Sequence, residues 1–196
     1  MDEHHEGGGT EPPRDIALRV KALESLLIDE LVGTYETRVG PRNGAKAVAR
    51  AWTDPTFKQL LLEDATDAFA ALGITGPKNA HLVAAENSAT VHNLVVCTLC
   101  SCYPWAVLGL PPTWYKSEPY RARAVREARA VLAEFGTHLP DDVEIRVWDS
   151  TSEMRYFVVP EQPPGTEGWS TDELEPLVTR NSMIGVEFAR RPAEAQ

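Results

Sequence analysis

Apolar positions recur at three- and four-residue spacing through the first third of the chain and alternate after it. Ile16, Val20, Leu23, Leu27 and Leu31 make one helical stripe, closed by Gly33 and Gly40-Pro41. A second helix is expected after Asn43, with Ala45, Val48, Ala49 and Trp52 on one face. A third is punctuated at both ends: Asp54 can cap it, Pro55 suits its first position and Gly73 can end it. Its stripe is Phe57, Leu61, Ala65, Ala68 and Leu72. Three narrow stripes make a poor core by themselves, so these helices are expected to lie on a main domain or on another subunit.

The period then changes. Residues 81–85 and 90–96 read as short strands around a turn at Glu86-Asn87-Ser88. Gly109-Leu110-Pro111-Pro112 is a rigid loop. Pro119 opens a helix expected to reach Phe135, with Gly136 ending it. Its arginines, Arg121, Arg123, Arg126 and Arg129, read as a solvated basic face, with pairing across a subunit contact as the alternative. Val143, Ile145 and Val147 alternate with Glu144, Arg146 and Trp148 as in a half-buried strand, and 154–159 is another. Ser170-x-x-Glu173 is a capping box ahead of a short helix, and 183–188 is expected to be a last strand. No internal repeat is visible. The fold class is α+β. Residues 1–13 form a polar tail, 14–75 a helical arm, 76–190 a mixed core and 191–196 a second tail.

Bulk properties narrow the function. The chain has 196 residues, 43% of them hydrophobic. A chain of this length buries a core without cross-links. The formal net charge of −10 argues against nucleic acid and anionic membranes as partners. No apolar run approaches the ~20 residues of a membrane span. The first residues have neither the basic start nor the apolar centre of a signal peptide. A cytoplasmic protein is expected, whose thiols stay reduced unless they bind metal or do chemistry. His4 and His5, in a Gly-rich polar stretch, read as incidental.

All three cysteines fall in Cys97-Thr98-Leu99-Cys100-Ser101-Cys102. Structural zinc wants four ligands, commonly with a second pair elsewhere, and none is present. His92 is a candidate fourth ligand, but it lies on a strand that must run away from the loop. An iron–sulfur cluster also wants four thiolates. A redox C-x-x-C leaves Cys102 unexplained, and inert buried thiols fit such close packing poorly. The remaining reading is one octahedral metal. If Cys100 and Cys102 bind one ion, the amide nitrogens of Ser101 and Cys102 are drawn beside it. That suits a strongly Lewis-acidic trivalent ion with one position open for chemistry.

The stretch 96–105, with Val107-Leu108-Gly109-Leu110-Pro111-Pro112, Trp114-Tyr115-Lys116-Ser117, Tyr120-Arg121-Ala122-Arg123 and Glu153-Met154-Arg155-Tyr156, closely resembles the α subunit of nitrile hydratases. Glu144-Ile145-Arg146-Val147, Gly165-Thr166-Glu167-Gly168-Trp169 and Met183-Ile184-Gly185-Val186 extend the resemblance over at least 76–188. It implies a layered α-β-β-α core. It also implies hydration of a nitrile to an amide at a cobalt(III) or iron(III) centre held by Cys97, Cys100, Cys102 and the amides of Ser101 and Cys102. Cys100 is then a sulfinic acid and Cys102 a sulfenic acid. The attacking oxygen is either an activated water or the Cys102 sulfenate. Thr98 and Tyr103-Pro104 are the cobalt-type pattern, which makes iron the lesser choice. The resemblance places Trp105 in the substrate pocket, against a core tryptophan as the plain alternative. It gives Glu153 and Arg155 a tuning or proton-relay role, against a simple salt bridge.

The stretch holds no counter-charge of its own, so the implied partner is a β-type subunit supplying arginines. A nitrile substrate and a cobalt-delivery chaperone complete the implied partners, with no nucleic acid and no membrane. Alone, the chain's helical arm is a candidate for pairing with a second copy. Lys78 stands where relatives carry Gln, and Ala106 and Ala128 where they carry Pro. These departures suggest a specialised member acting on a larger nitrile, such as the heteroaromatic toyocamycin. Two competing readings stand beside this one. The first is a thiocyanate hydrolase subunit, a group whose pattern departs after Tyr-Pro where this chain keeps Trp105. The second is a metal-binding subunit without activity.

Overall fold

The computed structural model describes residues 16, 18–20, 22–27, 41–75, 80–100 and 102–192. The tails, Leu31, Lys78 and Ser101 lie outside the described residues. Two compact units are present, Met1–Thr34 and Tyr35–Gln196. In the first, the described residues between 16 and 27 are helical, and Ile16, Leu18, Val20, Leu23, Leu26 and Leu27 are exposed.

The second unit opens with α1 (Arg42–Thr53), whose small residues let neighbours approach closely. Ala45, Ala47, Val48, Ala49 and Ala51 are all buried. At Gly44 a Cβ would lie 2.6 Å from the Met183 Sδ, so only glycine admits that packing. The expected third helix is two, α2 (Pro55–Glu63) and α3 (Ala65–Ala71). Asp54 caps the first by accepting from the Phe57 N–H at 3.0 Å. Asp64 breaks the helix in an extended conformation and caps the second through Asp67 N–H at 3.0 Å. The sequence groups these helices with the arm; here they share one hydrophobic cluster with the strands.

The strands are β1 (His81–Glu86), β2 (Val91–Val96), β3 (Glu144–Asp149) and β4 (Met154–Val159). β1 pairs in parallel with β4, and β2 in parallel with β3. β1 and β2, though consecutive, belong to different sheets. β2 is buried along nearly its whole length, as a parallel strand covered on both faces should be, whereas β3 alternates. Helices α2 and α3 lie on β1, and helices after the cysteine loop lie on β2 and β3, so the core is layered α-β-β-α.

After the short α4 (Trp105–Leu108) and a 3-10 turn at Thr113–Lys116, the expected long helix is also two, α5 (Glu118–Ala124) and α6 (Ala128–Glu134). The break lets Arg123 reach Glu134 with both Nη atoms, at 3.0 and 2.6 Å. The basic face is therefore not simply solvated. Arg126 donates to the Ala122 carbonyl, and Arg129 pins the carbonyls of Leu139, Pro140 and Val143. The capping box at Ser170 forms and starts α7 (Thr171–Leu174).

The expected last strand is instead a helix, α8 (Arg180–Ile184). Thr179 and Ser182 exchange capping hydrogen bonds at 3.0 Å, and Gly185 ends the helix in the left-handed region at φ 91°. Met183, Ile184 and Val186 read as a strand because the core buries all of them.

Candidate metal centre

β2 delivers the chain into the cysteine loop, and the parallel end of β3 fastens it. Ser150 N–H donates to the Val96 carbonyl at 2.7 Å. Asp149 then accepts from Thr98 twice, from the backbone N–H at 2.9 Å and from Oγ1 at 2.5 Å. The register that places Val96 beside Asp149 makes this clamp. Below the loop lies an aromatic floor. Tyr103 and Tyr115 are fully buried with rings 5.0 Å apart, and Tyr115 Oη donates to the Cys102 carbonyl at 3.1 Å. Tyr120 Oη holds the last turn of the strand through the Val95 carbonyl at 2.6 Å.

Cys97 is buried, Cys102 half-buried and Cys100 exposed. Their sulfurs all lie within 4.8 Å of one another. Cys97 Sγ to Cys100 Sγ is 3.3 Å, and Cys100 Sγ to Cys102 Sγ is 3.1 Å. With metal–sulfur bonds of about 2.3 Å, ligands at right angles sit about 3.3 Å apart and tetrahedral ones about 3.8 Å apart. These two contacts are close to the right-angle spacing of an octahedral site. The thiols alone are electrostatically awkward. Burial, then the sulfurs of Cys100 and Cys97, pushes the Cys102 thiol up to about 12. Burial foremost, then Cys97, holds the Tyr115 phenol above its ordinary value. A cation among the sulfurs reverses this penalty, since metal binding deprotonates a thiol outright. The donor set fits the metal that the sequence implies.

His92 is not part of it. It is buried, and its Nε2 lies 2.7 Å from the Gly185 carbonyl while Nδ1 lies 3.3 Å from the Asn87 amide nitrogen. Burial lowers its pKa, so the neutral ring donates from Nε2 and accepts at Nδ1. Trp105 is part-exposed at the start of α4 and faces a cavity of about 340 Å³ with Phe69, Ile74, Leu82, Pro104 and Arg155. The cysteines do not line that cavity. Arg155 donates from Nη1 to the Tyr103 carbonyl at 2.7 Å, and its Nε is buried without a hydrogen-bond partner. Glu153 is exposed just before β4, and no ion pair joins it to Arg155 among the described residues. The plain salt-bridge reading of that pair therefore fails.

Sequence reasoning missed Asp149 and Tyr115, whose approach to the loop depends on strand register and loop packing. It also left Arg121 on a solvated face. Arg121 Nη1 donates to the Cys100 carbonyl at 3.2 Å.

The family model described as nitrile hydratase, alpha chain, matches residues 14–187. The alpha subunit of the low-molecular-weight cobalt-containing nitrile hydratase of Rhodococcus rhodochrous is 54% identical over 207 residues, covering 100% of each chain. The gamma subunit of thiocyanate hydrolase from Thiobacillus thioparus is 46% identical over 187 residues, covering 88% of this chain and 77% of the relative. Among solved structures, a double mutant of the iron-type nitrile hydratase of Comamonas testosteroni matches with a TM-score of 0.80 at 41% identity. That match covers 93% of this chain and 94% of the other.

Proposed function

The chain belongs to the nitrile hydratase alpha-chain family, and on that premise we propose that it is the metal-bearing subunit of a cobalt nitrile hydratase, converting a nitrile to its amide. The observation that carries this reading is the three-sulfur cluster, all within 4.8 Å of one another, in the loop after β2. Cys97, Cys100 and Cys102 would hold the metal, and the family resemblance adds the amides of Ser101 and Cys102 to the set. When bound, cobalt(III) supplies a Lewis acid that polarises a nitrile or acidifies water. The chain's own residues set the stage. Asp149 fixes Thr98, and with it the entry to the loop. Tyr115 and Arg155 hold the carbonyls of Cys102 and Tyr103 at its exit. Trp105 walls an apolar cavity beside that exit, sized for the substrate's side group. Glu153 and Arg155, two residues apart on the chain, tune the site or relay protons.

A β-type subunit completes the site, and the enzyme works in the cytoplasm. Among the described residues no helix is long and apolar enough to cross a membrane. Protein made with cobalt or with iron in the medium, alone and with its β-type partner, tests the reading. We expect about one cobalt per chain, two oxygens on Cys100 and one on Cys102 by mass spectrometry of the loop peptide, and nitrile hydration by the pair. Zinc on unmodified thiols, or an active form that holds only iron, overturns it. The likeness to a thiocyanate hydrolase gamma subunit supports a second reading. Assays on thiocyanate and aromatic nitriles side by side separate the two.

A further inference from the structure

We propose that Arg121 is a positioning residue of the metal loop, supplying positive charge from within this chain at the Cys100 carbonyl. The proposal rests on the metal-centre reading above. Three arginines of this region have ordinary structural work. Arg123 pairs with Glu134, Arg126 holds the end of α5 through the Ala122 carbonyl, and Arg129 pins a loop. Arg121 differs from all of them. Its Nη1 donates to the Cys100 carbonyl at 3.2 Å, and its Nε is buried with no hydrogen-bond partner. Glu118 shares a surface groove with Arg121 and Thr98, yet no ion pair joins Glu118 to Arg121 among the described residues.

A guanidinium cannot shed its charge, and a buried donor left unmet asks for an explanation. The loop that Arg121 grips supplies one, because its sulfurs, all within 4.8 Å of one another, gather negative charge as thiolates or oxidised acids. The carbonyl that Arg121 holds belongs to the peptide group between Cys100 and Ser101. Negative charge placed anywhere on that group is shared with the oxygen Arg121 grips. Arg155 mirrors the arrangement on the exit side, with Nη1 on the Tyr103 carbonyl at 2.7 Å and a second buried, unmet Nε. The loop is thus held between two guanidiniums, and part of the counter-charge expected from a second subunit is already in this chain.

The test is cobalt(II) chloride titration of the metal-free full chain without oxygen, followed by visible absorption, with thermal unfolding of the metal-free protein in parallel. Arg121→Gln should weaken cobalt binding roughly tenfold to a hundredfold, the size of a charged hydrogen bond, while metal-free unfolding stays at the wild-type temperature. Arg121→Lys should recover part of the affinity, since it keeps the charge and loses the fork. Arg126→Gln on the same face should bind like wild type. The proposal is overturned if Arg121→Gln binds cobalt like wild type, or if Lys and Gln variants lose affinity and stability equally. A wild-type chain that binds no more cobalt than Cys97→Ser overturns the metal-centre reading itself.

Discussion

β2 has a candidate metal ligand near its start and three just beyond its end, and the two places treat them in opposite ways. At its start, His92 and Asn93 sit in a polar cluster that closes on itself. His92 spans the Gly185 carbonyl and the Asn87 amide, the Asn93 Nδ2 donates to the Glu86 carbonyl at 2.7 Å, and Trp148 Nε1 donates to the Asn93 Oδ1 at 2.8 Å. At its far end three sulfurs crowd within 4.8 Å, and two neighbouring arginines keep unmet buried donors. A satisfied buried polar network rigidifies a fold and needs nothing more. An unsatisfied one is completed by something outside the chain. The contrast sorts a structural histidine from functional cysteines more sharply than residue type does.

The largest effect that tests this contrast is at the open end. Cys100→Ser or Cys102→Ser should abolish hydration by the assembled enzyme and leave little bound cobalt, while the metal-free fold persists. Full activity in either variant would refute the site. At the closed end the matching change is Gly185→Ala. A Cβ there would lie 2.0 Å from the Asn93 carbonyl oxygen, at a φ of +91°. Backbone strain and overpacking together should cost on the order of 3–5 kcal/mol, read as a fall in the urea midpoint. An unchanged midpoint would mean the closed cluster is not the structural unit described.

Asp149 sits between the two cases, because it is exposed and yet fixes the loop. Asp149→Ala removes both acceptors from Thr98. It should cost about 1 kcal/mol of stability but lower cobalt occupancy more visibly, since the loop loses its anchor. Asp149→Asn keeps one acceptor for the Thr98 N–H and should fall between the two. Equal occupancy in wild type and Asp149→Ala, by metal analysis after loading, would remove Asp149 from the site.

How much of this was legible beforehand follows from what each feature depends on. Local chemistry reads well. Asp54, the Ser170 box and the strand at 154–159 all declare themselves within a few residues, and so does the cysteine spacing. Features set by long-range pairing do not. Asp149 meets Thr98 only because β3 runs parallel to β2, and Arg121 meets Cys100 only because α5 folds back under the loop. The last apolar run reads as a strand because burial on every side hides a helical period, and Thr179 and Gly185 make it a helix. The helix breaks at Asp64 and before Ala128 were missed for a related reason, since the apolar stripe continues through both.

The smallest predicted effect tests the closed end through pH. Burial disfavours the imidazolium of His92, and the opposing pull of the Gly185 carbonyl is weaker, so the folded pKa lies below its ordinary 6.5. Below that ordinary value the unfolded chain takes up a proton that the folded chain holds off. Stability therefore falls as pH drops from about 6.5 toward the folded pKa and then stops changing on this account. His92→Gln removes the titrating group, so its acid limb should be flatter than wild type's over that window, although the variant is less stable at pH 7. Urea unfolding of both proteins at a series of pH values isolates the difference, because the carboxylates titrate alike in each. The same variant should load cobalt normally. Parallel acid limbs would show that His92 is not held neutral by its burial, and a loss of cobalt in His92→Gln would mean that the two ends of β2 are one site rather than two.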